Sequence, residues 1–234
     1  MGRRALRKIN PALDLSTHHR VLEDLVPPWD PDSWFPSTAP LEVEVGSGKG
    51  LFLAGAAAAC PTHNFLGIEI AHKYAEFIAA RLARHQLNNA RILEGDGLRF
   101  FREFLPDNRL EAVHVYFPDP WWKLRHRKRR VLNEPFVRDV QRVLRPGGKL
   151  HFWTDVEEYY LSSLELIRAT TTLHGPLTVA ERPAEHDLDF HTHFERRTRK
   201  ANLPVYRAEF AKIAVPSDQP TAAIEQFSKP TDPE

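Results

Sequence analysis

Between residues 115 and 130 the sequence reads VYFPDPWWKLRHRKRR, and its single carboxylate, Asp119, stands between two prolines. Proline fixes the φ angle and restricts the residue before it, so the sequence predicts a stiff loop here. An aromatic ring such as Trp121 can stack on any nucleic-acid base, a contact worth about 1–3 kcal/mol. One interpretation is therefore a base-binding loop. The other is a hydrophobic turn in which Trp121 is buried and Asp119 is a cap.

The same stretch ends in a dense cationic run. It consists of Lys123, Arg125, Arg127, Lys128, Arg129 and Arg130. Such a run is often only a solvated loop, but its position directly after the aromatic residues favours contact with the phosphates of a nucleic acid. The formal net charge of the chain is only +1, so the positive charge is local and indicates a polyanion site. A further basic cluster at 196–200 supports the same interpretation less strongly.

A glycine-rich segment, EVEVGSGKG at 42–50, is the second set of residues with a chemical meaning. Its spacing fails the P-loop pattern at two positions, and its third glycine comes one residue too early for a dinucleotide fingerprint. The pattern E-x-G-x-G-x-G resembles motif I of methyltransferases that use S-adenosylmethionine (SAM). SAM carries an ammonium and a sulfonium but no phosphate, so the carboxylate of Glu44 beside the loop would favour it. Gly46 and Gly48 would let the backbone approach the ligand closely.

Further acids follow strand-like segments along the chain. Glu69 ends the apolar segment FLGIEI, where an acid can hydrogen-bond ribose hydroxyls, and Asp96 in LEGDG would lie near an adenine. Any one of them could be a solvated turn residue. Because open α/β sheets bind ligands at the carboxyl ends of their strands, successive acids at strand ends favour a binding site.

The remaining pattern supplies the elements that would position these residues. Strands are predicted at 41–45, 65–70, 90–93, 110–117 and 149–154, and helices at 51–59, 72–86, 97–105, 134–144 and 156–169. This alternation predicts a doubly wound, Rossmann-like α/β fold with a mostly parallel sheet. Two later strand-like segments, LTVAERP and PVYRAEFAKI, are joined by a polar loop that carries the basic cluster at 196–200, and they predict antiparallel edge strands.

Composition sets the outer bounds. With 234 residues, of which 42% are hydrophobic, the chain can bury a sizeable core. We predict a basic, Pro-rich N-terminal extension at 1–40, a SAM-dependent methyltransferase domain at 41–214 and a mobile tail at 215–234. The single cysteine excludes an intrachain disulfide, and apolar runs are too short for a membrane helix, so we expect a cytoplasmic protein without a membrane partner. The spacing of His186, His191 and His193 is not a strong zinc pattern, so no metal site is predicted.

The stretch YFPDPWWKLRHRKRR closely resembles the hallmark of bacterial tRNA (guanine-N7-)-methyltransferases. Its PDPW segment is similar to the catalytic tetrapeptide of amino-directed nucleic-acid methyltransferases, in which Asn or Asp binds the edge of a base. The resemblance covers roughly residues 40–210, through EVGSGKG, LGIEI, RPGGKLHFWTD and THFERR. It implies methyl transfer from SAM to N7 of guanine 46 in the variable loop of tRNA. It also implies a monomer or homodimer with no obligatory protein partner.

Transferred motif by motif, the resemblance implies roles for individual residues. The cofactor-binding set is Glu44, Gly46, Gly48, Glu69, Asp96 and Asp119, of which Asp119 is also the catalytic residue. The substrate-binding set is Lys123, Asp155, Thr192, His193, Phe194 and Glu195. The RNA backbone is expected to contact Arg125, Arg127, Lys128, Arg129 and Arg130. The chain departs from the family pattern at Trp122, His193 and Thr198.

The chemistry fits these residue types. N7 of guanine is an unprotonated acceptor, so its methylation depends on positioning and electrostatics, with Asp119 orienting the base. Asp155 and Glu195 are predicted as further contacts to the base edge. The alternatives are a SAM methyltransferase acting on another RNA or a small molecule, a non-catalytic RNA-binding relative, and a nicotinamide oxidoreductase. The glycine spacing disfavours the last, and intact acids at the strand ends disfavour a loss of activity.

Overall fold

An eight-stranded sheet organises the protein, whose computed structural model describes residue 6, residues 8–179 and residues 192–214, apart from the side chain of His193. In chain order the strands are β1 (His19–Val21), β2 (Leu41–Val45), β3 (Asn64–Glu69), β4 (Ala90–Glu94), β5 (Leu110–Tyr116), β6 (Leu144–Thr154), β7 (His174–Leu177) and β8 (Tyr206–Ala211). The α-helices are α1 (Leu51–Ala59), α2 (His72–Arg84), α3 (Gly97–Glu103), α4 (Glu134–Val143), α5 (Glu157–Thr170) and α6 (His193–Lys200). Short 3-10 helices occupy Leu22–Asp24, Pro31–Ser33 and Leu124–Arg129.

The strands lie in the order β1-β4-β3-β2-β5-β6-β8-β7. Neighbouring strands from β1 to β6 pair in parallel, whereas β8 runs antiparallel to both β6 and β7. The strand order reverses direction between β2 and β5. Open α/β sheets bind their ligands in the crevice at such a reversal, at the carboxyl ends of the strands. The predicted doubly wound fold with antiparallel strands at its C-terminal edge is confirmed.

Helices pack on both faces because the central strands are apolar on both sides. One large core contains residues of α3, α4 and α5, among them Phe136, a second contains residues of α1 and α2, among them Ile78, and a small third cluster contains Phe117 and Trp153. Helix α4 begins where the side chain of Asn133 accepts a hydrogen bond from the Phe136 amide, with Pro135 in the first turn. The two cores hold the sheet rigid, so the loops at the carboxyl ends of its strands start from fixed points.

The N-terminal stretch contributes more to this core than the sequence suggests. Strand β1 pairs in parallel with β4, and the side chains of Leu22, Trp29 and Phe35 are at most 8% exposed. The five prolines of residues 27–40 leave room only for the 3-10 turn Pro31–Ser33, as expected from their fixed φ angles. Residues 19–35 are therefore packed onto the sheet. They form part of the same core as the residues that follow them.

Two C-terminal elements differ from the prediction. The basic cluster at 196–200 lies on helix α6 and not on a loop, because Thr192 caps the helix and its charges run from acid at the start to base at the end. Strand β7 begins at His174, earlier than the segment LTVAERP, whose end lies outside the described residues together with His186, His191 and the tail 215–234. Within the described ranges, no helix is long and apolar enough to cross a bilayer.

Candidate functional site: the carboxyl edge of the parallel strands

The sheet order brings five of the predicted side chains to one edge. Asp96 follows β4, Glu69 ends β3, Glu44 lies near the end of β2, Asp119 follows β5 and Asp155 follows β6. These strands are neighbours and run in parallel, so their carboxyl ends meet at the same side. The predicted convergence of the acids on one ligand edge is therefore what the fold produces.

The glycine loop between β2 and α1 leaves its backbone open to a ligand. Gly46, Gly48 and Gly50 have φ angles of 84°, 56° and 64°, a region that disfavours other residues. A Cβ atom at Gly46 or Gly48 would meet no atom within 4 Å, whereas one at Gly50 would approach Ile78 Cγ1 to 2.8 Å. The first two glycines therefore border open space, and the third is required for packing against α2.

Glu44 is buried beside this loop without a full set of partners. Glu44 is 4% exposed, and its Oε2 accepts no hydrogen bond from any residue that the structure describes. Burial is the main cause that raises the pKa of Glu44 to about 7; the Ser47 hydroxyl opposes it, and the nearby charge of Glu69 adds to it. A buried carboxylate of this kind is stabilised by a cationic ligand group that reaches it.

Glu69 and Asp96 hold the local backbone. The Gly48 amide donates to Glu69 Oε2 at 2.8 Å, and the Ala71 amide donates to Glu69 Oε1 at 3.0 Å. Asp96 is exposed and caps α3, where its Oδ1 accepts hydrogen bonds from the Leu98 and Arg99 amides. Each carboxylate has lone pairs beyond these bonds, so ribose and adenine contacts remain predictions that the geometry permits.

Asp119 is exposed on a loop that is strained on both sides of it. Phe117 and Trp121 have φ angles of 50° and 45°, a left-handed conformation that costs bulky residues about 1–3 kcal/mol each. The loop is also anchored at both ends. The Phe117 amide donates to the Trp153 carbonyl at 2.8 Å, and Arg130 Nε donates to the Pro120 carbonyl at 2.8 Å. The surroundings therefore fix the position at which Asp119 is presented.

The two tryptophans after Asp119 have different environments. Trp121 is partly buried, with the Arg129 guanidinium 5.2 Å from its ring and His126 perpendicular to it at 5.9 Å. Trp122 is 65% exposed. The sequence left open whether Trp121 stacks on a base or packs the loop; in the structure it packs against the loop's own residues, and the exposed indole is that of Trp122.

The cationic run divides at its last residue. Lys123, Arg125, Arg127, Lys128 and Arg129 are exposed on or beside the 3-10 helix Leu124–Arg129. Arg130 is only 7% exposed, and its Nη2 donates to Glu158 at 2.8 Å while its guanidinium lies 4.5 Å from the Tyr159 ring. Arg130 thus joins the loop to α5, which corrects its predicted role as a phosphate contact.

Glu158 is a functional neighbour that sequence reasoning missed. Its Oε1 also forms an ion pair with Arg127 Nη2 at 3.2 Å, and the hydrogen bond from Arg130 lowers the pKa of the Glu158 carboxyl. Its position in α5, 28 residues from Arg130, follows from tertiary packing alone. No local motif could have revealed this anchor.

Helix α6 brings the second substrate segment to the same region. Thr192 Oγ1 accepts a hydrogen bond from the Glu195 amide at 2.9 Å, which fixes the start of the helix. Phe194 is 49% exposed, and its ring lies 6.2 Å from that of Phe117 in a near-parallel arrangement. The residues just before Asp119 and the predicted substrate segment are therefore in contact through two aromatic rings, of which Phe117 was not predicted.

Glu195 is a buried carboxylate with partners inside the protein. It is 1% exposed, with ion pairs to Arg199 at 3.4 Å and to Arg207 at 3.3 Å. Because Arg207 belongs to β8, Glu195 joins α6 to the sheet, and its contact with the base stays a prediction. Lys123 and Asp155 are exposed, and the His193 side chain lies outside the described residues.

The fold and the open glycine loop define the class of protein. A family described as "Putative methyltransferase" matches residues 38–208. The crystal structure of the aminoglycoside resistance methyltransferase NpmB1 superposes with a TM-score of 0.50 at 17% identity, covering 74% of this chain and 87% of that one. The likeness to that structure shows the fold, and the family match shows that this chain is a methyltransferase-family protein.

Relatives at higher identity narrow the family. The tRNA (guanine-N(7)-)-methyltransferase of Rhodopirellula baltica is 50% identical over 218 residues, covering 91% of this chain and 80% of the relative. The protein of the same name from Alcanivorax borkumensis is 37% identical over 188 residues, covering 79% and 77%. This chain belongs to the tRNA (guanine-N(7)-)-methyltransferase family, as the resemblance in its motifs predicted.

Proposed function

We propose that this protein transfers a methyl group from SAM to N7 of a guanine in tRNA, and that the guanine is position 46 of the variable loop. We further propose that it acts in the cytoplasm as a monomer or homodimer without an obligatory protein partner. One observation supports the chemistry above all others. An open glycine loop, with the buried Glu44 whose Oε2 has no hydrogen-bond partner among the described residues, shares a sheet edge with an exposed Asp119 that is followed by exposed cations.

The residues around the glycine loop fit SAM. The carboxylate of Glu44 lacks a partner at Oε2, and a cationic amino group would supply one. Gly46 and Gly48 border open space, so the backbone can lie against a ligand without interference from side chains. When bound, SAM supplies an electrophilic methyl group on a sulfonium sulfur. Glu69 and Asp96, at the neighbouring strand ends, would contact its ribose and adenine.

The reaction requires little acid–base chemistry from the protein. The N7 lone pair of guanine forms the new N–C bond while the C–S bond breaks and its electron pair moves to sulfur, so positive charge passes from sulfur to the purine. Asp119 would accept hydrogen bonds from N1–H and N2–H of the same base and stabilise the charge that develops on it. The anchored, strained loop holds the carboxylate in place before substrate arrives.

The exposed part of the cationic run would hold the tRNA backbone. The cations concerned lie on one short segment next to Asp119, so phosphates that contact them would lie close to the target base; they are Lys123, Arg125, Arg127, Lys128 and Arg129. Arg130 is excluded from this set because the protein itself surrounds its guanidinium.

Nucleoside analysis after incubation with labelled SAM tests the proposal directly. Unmodified tRNA transcripts with guanine at position 46, and matched transcripts with adenine there, are the substrates, and the Asp119→Ala protein is the control. We expect 7-methylguanosine only from the first transcript and the unaltered protein. Label on both transcripts would refute position 46, and another modified base would favour a different methyltransferase. SAM binding without any transfer would favour a non-catalytic RNA-binding relative.

A further inference from the structure

A second constellation of polar side chains lies beside β4, away from Glu44 and Asp119. His19 of β1, His72 at the start of α2 and Glu94 at the end of β4 meet there. His19 Nε2 lies 2.9 Å and His72 Nδ1 lies 2.8 Å from the same oxygen, Glu94 Oε2. The three potential ligand atoms all lie within 4.8 Å of one another. Elements that are distant in sequence therefore place two imidazole nitrogens and one carboxylate around a common point.

A second His–Glu–His arrangement, around Glu42, differs from the one around Glu94 in which carboxylate oxygens the histidines contact. Around Glu42, His63 Nδ1 lies 2.7 Å from Oε1 and His114 Nε2 lies 2.7 Å from Oε2, so the two rings contact different oxygens. At Glu94 both rings point at one oxygen. Because both rings contact the same oxygen, the two nitrogens and that oxygen form one close group of three potential ligand atoms, which a shared ion needs and which the contacts of Glu42, divided between two oxygens, do not provide.

The outer contacts of His72 also fit a metal ligand. While Nδ1 faces Glu94, Nε2 lies 3.4 Å from Glu76 Oε1. Metal-binding histidines usually donate their other ring N–H to a carboxylate, which fixes the tautomer and raises the basicity of the coordinating nitrogen. The His19 and Glu94 side chains are 16% and 19% exposed, and that of His72 is 60% exposed. Two of the three side chains are thus largely buried, and the His72 side chain opens the constellation to solvent on one side.

We propose that His19, His72 and Glu94 form a binding site for a divalent transition-metal ion, with Zn²⁺ as the preferred ion. Two imidazoles and a carboxylate are ligands that zinc accepts at about 2.0–2.2 Å, with water in the fourth position. Tetrahedral ligands at that range lie about 3.3 Å apart, so small side-chain rotations would admit the ion in place of the two hydrogen-bonding protons. The site would join β1, a strand of three residues, to α2 and β4. It would act as a stabilising site next to the proposed cofactor residues, because Glu94 pairs in register with Glu69 and lies two residues before Asp96.

Metal titration of the full chain tests this proposal. After removal of metal with a chelator, Zn²⁺ is titrated calorimetrically, Co²⁺ is titrated by visible absorption, and Tm is measured with and without Zn²⁺. Because the chain has 12 histidines, weak binding elsewhere is expected and a matched variant is needed. His72→Ala removes a ligand that is largely exposed, and His85→Ala removes an exposed histidine just beyond the same helix.

The unaltered protein and His85→Ala should bind one more Zn²⁺ than His72→Ala, show tetrahedral Co²⁺ bands and gain Tm on metal addition. Glu76→Gln should keep the site but weaken it by about tenfold, since it removes only the outer carboxylate. Equal stoichiometry, affinity and Tm gain in His72→Ala and His85→Ala would overturn the proposal. The constellation would then be a hydrogen-bonded triad without a metal. Both outcomes are read from binding alone, so neither depends on methyltransferase activity.

Discussion

On the glycine-loop side of the sheet edge Glu44 is 4% exposed and Glu69 is hydrogen-bonded to the loop, whereas beyond β5 Asp119 and five cations are exposed. In the first region the carboxylate of Glu44 is already removed from water, as contact with a small ligand held close to the loop would require. In the second region Asp119 and the cations are in contact with water, as the proposed binding of a large polyanion would require. Rigidity comes from burial in the first region and from strained backbone and anchoring bonds in the second.

Replacing Asp119 should cause the largest loss of activity because this carboxylate lies in the exposed region where the base would bind. We expect Asp119→Ala to lower kcat by about 10²–10³-fold, the usual cost of removing one group that stabilises developing charge. Single-turnover methylation of tRNA at saturating SAM measures this. Asp119→Asn keeps one acceptor and should retain more activity than alanine. Near-normal kcat in both variants would remove Asp119 from the mechanism.

Glu44 offers a test of the enclosed region through pH. Its folded-state pKa is about 7, above the ordinary value of 4.5, so the folded protein binds this proton more tightly than the unfolded chain. The contribution to stability is therefore full below the ordinary value and is lost as pH rises through the folded-state value, by about 3 kcal/mol in total. Urea unfolding of the ligand-free protein between pH 5 and pH 8 measures it, and Glu44→Gln should abolish this part of the pH dependence.

The same group should couple SAM binding to protons. A cationic ligand favours ionised Glu44, so below about pH 7 binding must release a proton, and affinity should fall by up to about tenfold per pH unit. Calorimetry in buffers of different ionisation enthalpy counts the protons released. Glu44→Gln should bind SAM about 100-fold more weakly, with no proton release, because one partner of a buried charge pair is missing. Proton release that persists in this variant would assign the coupling to another group.

Arg130 and Arg127 separate stability from RNA binding within the exposed region. Arg130→Gln should lower stability by about 2 kcal/mol, or a few degrees in Tm, because it removes charge-assisted hydrogen bonds from a buried guanidinium. Arg127→Gln, in which an exposed ion pair is lost, should leave Tm nearly unchanged. It should instead reduce the slope of log affinity for tRNA against log salt by about 1. Thermal unfolding and salt-dependent binding of both variants distinguish the roles, and a reversal of the two results would contradict the division.

The positions of residues around the glycine loop could be predicted from the sequence more completely than those around Asp119. The reason is physical. The glycine spacing and Glu44 lie within one short segment, so their geometry follows from local backbone rules. In the sequence, Arg130 cannot be distinguished from the other cations of its run. Its burial depends on Glu158, which is 28 residues away. Likewise β1 is only three residues long, and α6 lacks an apolar stripe, so only the capping Thr192 and the acid-to-base order of charges indicated a helix.

The smallest expected effect concerns the two adjacent indoles. Trp122 is 65% exposed beside Asp119, so it is free to stack on a nucleotide next to the target base, a contact worth about 1–3 kcal/mol. Trp122→Ala should therefore weaken tRNA binding by about tenfold, and Trp122→Phe should restore most of it, since stacking requires only an aromatic face. Leu124→Ala is the matched control, because Leu124 is 79% exposed on the same segment but has no aromatic ring. If both alanine variants weaken binding equally, apolar contact and not stacking explains the exposure of Trp122. If neither does, RNA contacts in this region are limited to the cations.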